Sequence, residues 1–291
     1  FVFHRTMFSG NNCNLGVFDL TSMNVLISQS LIKDNISNTT LIQVPKSKID
    51  INQSSIIGNT VGSDIIFSPH GTLFMKNSTM ALNECGSDLI SNYPGTNITL
   101  INNTIVGNSA KSETKFPYGN YPVELLENII VGNSFDVATP DLCELYKFNI
   151  TERELATTEI SSLLEGTYND NTALFVPTVK VNGGFTPTVA LKSDRLPDGT
   201  SIRFPLSETT VTTDQRSVER LGSTCMGAYE LVCSPAVVEL TDTIVAGDDY
   251  SFNDVDLSSA ISKVGVHKFS DTLRCVSGCD SIIQLSLTVR P

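Results

Sequence analysis

Residues 49–59 read Ile-Asp-Ile-Asn-Gln-Ser-Ser-Ile-Ile-Gly-Asn, and variants of this phrase return along the chain at a nearly constant interval. The closing asparagine, Asn59, belongs to the series Asn11, Asn35, Asn59, Asn83, Asn108 and Asn133, spaced by 24, 24, 24, 25 and 25 residues. The six endings are TMFSGN, SLIKDN, SSIIGN, STMALN, NTIVGN and NIIVGN. A period of this length belongs to solenoids, whose repeats bury their apolar faces only by stacking on one another.

The phase inside each repeat selects the kind of solenoid. Positions ten and eight before the asparagine are apolar: Phe1 and Phe3, Val25 and Ile27, Ile49 and Ile51, Leu73 and Met75, Ile98 and Leu100, Val123 and Leu125. Alternation by two puts each pair on one face of a strand. The position three before is apolar as well (Phe8, Ile32, Ile56, Met80, Ile105 and Ile130), so the alternation skips a step in between. The residue six before, at the skip, is polar or charged: Arg5, Gln29, Gln53, Asn77, Asn102 and Glu127. A strand that changes phase while both halves stay buried turns a corner there. The expected fold is therefore all-β: a right-handed parallel β-helix with coils of about 24 residues. The asparagines are expected to form an internal ladder, satisfying turn backbone groups that stacking buries.

After Asn133 the pattern loosens. Thr151-Glu152-Arg153-Glu154 reads as a helical turn or an excursion, and Ser161-Ser162-Leu163-Leu164-Glu165-Gly166 as a delayed seventh coil. The expected organisation is parallel coils over 1–181, an irregular cap over 182–231 and a small antiparallel, sandwich-like β module over 232–291. The cap is expected because an open last coil exposes strand edges. Alternation in VVELTDTIVAG, YSFNDVDL and SIIQLSLTV suggests the module.

Composition narrows the function classes. A net charge of −12 and a pI near 4.6 argue against nucleic-acid binding, which rests on clustered Lys and Arg. No run of 18 apolar residues is present, so no membrane-spanning helix is expected. Seven cysteines, Cys13, Cys85, Cys143, Cys225, Cys233, Cys275 and Cys279, are too scattered for a zinc site, and an oxidising compartment is expected. Cys275 and Cys279 are close enough for a local disulfide, or are two free thiols.

Two further sets of residues carry a resemblance. Gly183-Gly184-Phe185-Thr186-Pro187-Thr188-Val189-Ala190-Leu191, Asp214-Gln215-Arg216 and Met226-Gly227-Ala228-Tyr229-Glu230, with the upstream coil phrases, make residues 1–230 resemble the choice-of-anchor Q domain proteins. Those are surface or secreted right-handed β-helices of bacteria. The serine-proline-alanine-isoleucine-aspartate phrase of that family is replaced here by Leu196-Pro197-Asp198-Gly199-Thr200-Ser201-Ile202-Arg203. Residues 244–291 look like a module common on Bacteroidetes surface proteins, through Ala246-Gly247, Tyr250-Ser251-Phe252, Gly278-Cys279-Asp280-Ser281-Ile282 and Leu285-Ser286-Leu287-Thr288-Val289. The pairing implies an extracellular or cell-surface protein of greater length, exported through a C-terminal sorting signal (type IX secretion), so that the secretion machinery becomes a partner.

Candidate sites divide between chemistry and architecture. Among parallel β-helices, pectate lyases cluster acids for calcium and use Arg or Lys as base, and glycosidases converge carboxylates across a groove. Such a cluster would show as acids at equal offsets in successive coils, and Asp34 and Asp64 do not align that way. His70 reads as a solvated turn. Asp214, Gln215 and Arg216, with Arg220, Tyr229 and Glu230, are the densest polar group and read as a salt-bridged clasp. Asp248, Asp249, Asp254 and Asp256 fit a solvated acidic loop, with calcium as the alternative; no other cofactor or metal is expected. Asn-x-Ser/Thr sequons begin at Asn35, Asn38, Asn52, Asn77, Asn97, Asn102 and Asn149. The expected function is a non-catalytic adhesin-like or stalk segment binding glycan or protein; the competing class is a polysaccharide lyase or glycoside hydrolase.

Overall fold

A computed structural model of the chain describes residues 1–91, 93–111, 123–135, 145–151, 154–171, 174–205, 211–220, 223–232, 237–252, 257, 261–273 and 281–291. The chain divides into two compact units, Phe1–Leu231 and Val232–Pro291.

The first unit is a parallel β-solenoid. Its first sheet stacks Val2–His4, Asn24–Ser28, Lys48–Asn52, Thr72–Lys76, Asn97–Ile101, Val123–Leu126 and Leu145–Lys147 in chain order. The second stacks Met7–Ser9, Leu31–Lys33, Ser55–Ile57, Thr79–Ala81, Thr104–Val106 and Ile129–Val131. Two shorter sheets, of five and four strands and including Thr60–Val61 and Ile66–Phe67, complete the earlier coils. Every pairing in these four sheets is parallel, and Ile49 stands between Val25 and Leu73. The apolar columns read from the sequence fill the interior: Ile27, Ile32, Ile49, Ile51, Ile56, Leu73, Met75, Met80 and Ile105 share one buried core.

The corners have a common conformation. At the phase skip, Arg5, Gln29, Gln53, Asn77, Asn102 and Glu127 have φ between 46° and 61°, in the left-handed region. A single left-handed residue reverses the direction of the side chains that follow, which is why both halves of the strand stay apolar. A second left-handed column, Gly10, Asp34, Gly58, Leu82, Gly107 and Gly132, directly precedes the repeating asparagines. A third holds Ser22, Lys46, His70 and Gly95, so His70 is an exposed corner residue.

Three features of the later chain differ from the sequence reading. The seventh coil comes earlier than Ser161–Gly166: Leu145–Lys147 joins the first sheet, and Phe148 (φ 51°) makes its corner. Ile160–Leu163 is instead a short helix, and Gly166–Asn169 pairs antiparallel with Leu174–Pro177. The Leu155 N–H donates to the Thr151 carbonyl at 3.0 Å, and the Glu154 carboxylate accepts from the Thr151 N–H and hydroxyl at 2.8 Å each.

The expected cap lies along the side of the solenoid. At the outward position two before the repeating asparagine, the second sheet carries Ser9 and Lys33 in the first coils but Ile57, Ala81, Val106 and Val131 in the later ones. These apolar positions need a cover, and the later chain supplies it. Leu163, Phe175, Val189, Leu191, Phe204 and Met226 pack with Ala81, Val106, Ile129 and Val131 in a second core outside the solenoid.

In the second unit, the antiparallel pairing is present between Gly265–Leu273 and Ser281–Arg290, but Val237–Val245 joins Ser281–Arg290 in parallel. Among the described residues this unit is one three-stranded sheet, not two facing sheets. Phe252, Leu257, Leu285, Leu287 and Val289 form its core.

Coil stacking is tightest at Gly62 and Gly86. A Cβ at Gly62 would lie 2.1 Å from the Asn38 carbonyl oxygen, and one at Gly86 equally close to that of Gly62. Backbone cannot yield as a flexible side chain would. Gly62→Ala should therefore lower stability by about 1–3 kcal/mol, read as a reduced urea midpoint, against no measurable change for Thr60→Ala at an exposed position nearby.

Candidate functional site

The six repeating asparagines stand in one column. The Asn35 side-chain oxygen accepts from the Asn11 backbone N–H (3.1 Å) and from its Nδ2 (2.8 Å). The same double bond links Asn35 to Asn59, Asn59 to Asn83, Asn83 to Asn108 and Asn108 to Asn133. Each Nδ2 also reaches back to a strand carbonyl in the preceding coil, as Asn59 does to Ile32 at 3.0 Å. Asn35, Asn59, Asn83 and Asn108 are fully buried.

A second column was not read from the sequence. Ser30, Ser54, Ser78, Asn103, Asn128 and Asn149 follow the left-handed corner residues and accept the backbone N–H of the coil before, at 2.9–3.2 Å. The signal was present, since the position five before each repeating asparagine is always Thr, Ser or Asn. The change from serine to asparagine midway hid it.

The densest charged group is the clasp. Asp214 is fully buried: Oδ1 accepts the N–H groups of Arg216 (2.8 Å) and Val218 (2.9 Å), and Oδ2 accepts Arg216 Nε (2.7 Å) and the Glu230 N–H (3.0 Å). The Arg216 guanidinium lies 3.6 Å over the Tyr229 ring. Arg220, with no exposed side-chain surface, forms an ion pair with Glu230 at 3.0 Å and donates to the carbonyls of Cys225 and Gly227. Burial pushes the Arg220 pKa down, against the opposing pull of Glu230 and Asp214. Arg203 bridges Asp194 (2.7 Å) and Glu230 (3.1 Å).

The clasp is riveted to the coils through the corner column. Gln53 Nε2 donates to the Asp214 carbonyl at 2.8 Å, Asn77 Nδ2 to the Thr213 carbonyl, and Arg220 Nη2 to Asn77 Oδ1 at 3.2 Å. Gln215 accepts from Thr79 Oγ1 (2.6 Å) and donates to Ser55 Oγ (2.7 Å) and Thr186 Oγ1 (2.8 Å). The Gly227 N–H donates to the Glu127 carbonyl at 2.8 Å, and the Ala228 N–H to Thr104 Oγ1 at 3.0 Å. Arg5 lies 3.7 Å over the Phe185 ring. The residues Phe185 to Leu191, Asp214 to Arg216 and Met226 to Glu230 are thus brought together on one side of the solenoid.

The remaining candidates fall elsewhere. Cys275, Cys279, Asp254 and Asp256 lie outside the described residues. Asp248 closes a turn by accepting the Val245 N–H at 3.1 Å, and among the described residues no cluster of three His, Cys, Asp or Glu is arranged to hold a metal ion. Of the sequon asparagines, Asn35, Asn77, Asn102 and Asn149 are buried, Asn52 is half-buried, and Asn38 and Asn97 are exposed. Asp64 is buried at a turn, where desolvation raises its pKa although the Asp88 N–H donates to it at 3.0 Å. Comparison with protein-family models, curated proteins and solved structures finds no match to this chain.

Two outcomes check this picture. Arg220→Met leaves Glu230 and Asn77 with a lost partner inside the clasp, and should lower stability by about 3–5 kcal/mol, read by thermal and urea denaturation. Burial pushes the Cys85 and Cys225 thiols up to about 12, aided by Asp64 and Glu230 respectively. Neither should be alkylated by iodoacetamide at pH 8 in the folded chain, and both should be once urea unfolds it, as read by peptide mass spectrometry.

Proposed function

We propose that this chain is a non-catalytic segment of a secreted or cell-surface protein, a stalk or adhesin-like solenoid that presents its long sides to a glycan or to another protein. The observation that carries the reading is the occupancy of the densest charged group. Asp214, Glu230 and Arg220 meet one another, backbone groups and the corner side chains of the coils. A carboxylate with that many donors is a structural tie, and a poor general acid or nucleophile.

The resemblance to choice-of-anchor Q domain proteins supports the same reading. The phrases that carry it are those of the clasp, which gives them a physical reason to be found together with a coil repeat. On this reading the protein is exported to the bacterial surface, in the manner of Bacteroidetes surface proteins and their type IX secretion route, and Val232–Pro291 is an accessory module.

A glycan array probed with the full chain, run beside lyase and hydrolase assays on acidic and neutral polysaccharides, tests the proposal. Saturable binding to a glycan class without release of unsaturated products or reducing ends is the expected result. Turnover of any polymer by the purified chain would overturn it, in favour of a polysaccharide-degrading enzyme.

A further inference from the structure

Among the described residues nothing pairs with the outer edge of the strand Val237–Val245, and the geometry points to a second copy of this chain as its partner. The strand is nine residues long, without proline, lysine or arginine, and Val237, Val238, Leu240 and Val245 are 42–54% exposed. The opposite edge, Gly265–Leu273, carries Lys268, the residue type that most often blunts an edge, whereas the charges of Val237–Val245 are the carboxylates Glu239 and Asp242.

Backbone direction is fixed by the bonds at the strand end. The Ala246 N–H donates inward to the Arg290 carbonyl at 2.8 Å. In a parallel pair, alternate residues bond inward, so Glu239, Thr241 and Thr243 turn their backbone groups outward. The outward N–H of Thr243 donates to the neighbouring Asp242 carboxylate at 2.7 Å, and to no other strand among the described residues. Val245 is already closed by Asp248, whose carboxylate and N–H take up its N–H and carbonyl.

The sequence Val-Val-Glu-Leu-Thr-Asp-Thr-Ile-Val is close to a palindrome of side-chain type about Thr241. Antiparallel pairing of two copies about that residue sets Thr241 against Thr241, Leu240 against Asp242, Glu239 against Thr243, Val238 against Ile244 and Val237 against Val245, so that Leu240 with Asp242 is the one apolar–charged pair. No carboxylate then faces another directly. Shifting the register so that Asp242 faces Asp242 creates a like-charge pair, which disfavours it. In the Thr241-centred register the two Asp242 carboxylates remain diagonal neighbours, about 7–8 Å apart, and each is held by the Tyr250 hydroxyl at 2.9 Å. Their repulsion is screened by salt, so association strengthens as ionic strength rises.

The test uses the full chain. Sedimentation should show a concentration-dependent monomer–dimer equilibrium, and Thr241→Lys, which sets two ammonium groups face to face, should raise the dimer Kd at least about ten-fold. Because a lysine can also disturb the sheet, register is read separately by cysteine cross-linking. T241C should form an inter-chain disulfide above the parent background, and E239C mixed with T243C should cross-link where neither does alone. A parent chain that sediments as a monomer at about 100 µM, far above a typical specific Kd, would overturn the inference. So would T241C cross-linking no better than V264C, an exposed position outside the strand.

Discussion

Everything in the solenoid depends on how a tight left-handed corner disposes of its backbone groups. Coils stacked at strand spacing point the N–H after each corner along the stack, into a place water does not reach. A side chain that accepts there, and can itself be supported from the next coil, solves the problem once per coil. Asparagine does so with an oxygen that accepts twice and an Nδ2 that donates twice, as Asn59 shows with Asn35, Asn83 and the Ile32 carbonyl. Serine meets the same N–H with less, as in Ser54. The left-handed residue before it costs about 1–3 kcal/mol when it is not glycine, so the ladder must hold the corner in place. Where Gly10, Gly58, Gly107 and Gly132 stand there, that cost is largely removed.

The corner column has a second use. Its side chains point away from the core, toward whatever lies beside the coils. Gln53 and Asn77 take up the Thr213–Asp214 backbone, and Arg220 reaches Asn77 in return. One outward position of the second sheet becomes apolar over the same coils, through Ile57, Ala81, Val106 and Val131. Polar rivets and an apolar seat coincide, and together they determine where the later chain lies. The clasp is accordingly a second core laid against the first, tied by buried charges that satisfy one another.

How much of this could be read in advance follows from which signals are periodic. The asparagine interval and the even-to-odd skip are periodic, and they carried the coils, the interior columns and the first corner. The seventh coil was misplaced because its ladder residue, Asn149, follows Asn128 by only 21 residues and belongs to the column where serine had masked the repeat. The lateral seat was visible as apolar residues on both faces of the second strand, at Ile57, Ala81, Val106 and Val131, yet two-sided burial is equally expected of a strand inside a larger fold. The grouping of Asp214 with Arg216 was legible because the partners are close in sequence. Its attachment to Gln53 and Asn77 was not, since those contacts span 161 and 136 residues. The parallel pairing of Val237–Val245 with Ser281–Arg290 was equally hidden, because alternation defines a strand but not its neighbour.

This distribution of polar groups bears on what a solenoid of this kind can be used for. A cluster of Arg and Asp laid along the side of a parallel solenoid invites a catalytic reading, but the chemistry of such groups depends on what they still have to offer. Asp214 has four donors at its two oxygens, and the Glu230 Oε2 accepts from Arg220, Thr224 and the Cys225 N–H. Moving a proton or an electron pair at either would first break the ties that seat the clasp on the coils. Catalysis at that position would therefore compete with the fold itself. Recognition through exposed solenoid surface does not, because outward side chains of the uncovered sheets can change without touching the corner ladder. A scaffold that fixes its polar interior by stacking and leaves its remaining sides unconstrained is suited to varying what it binds while keeping its shape.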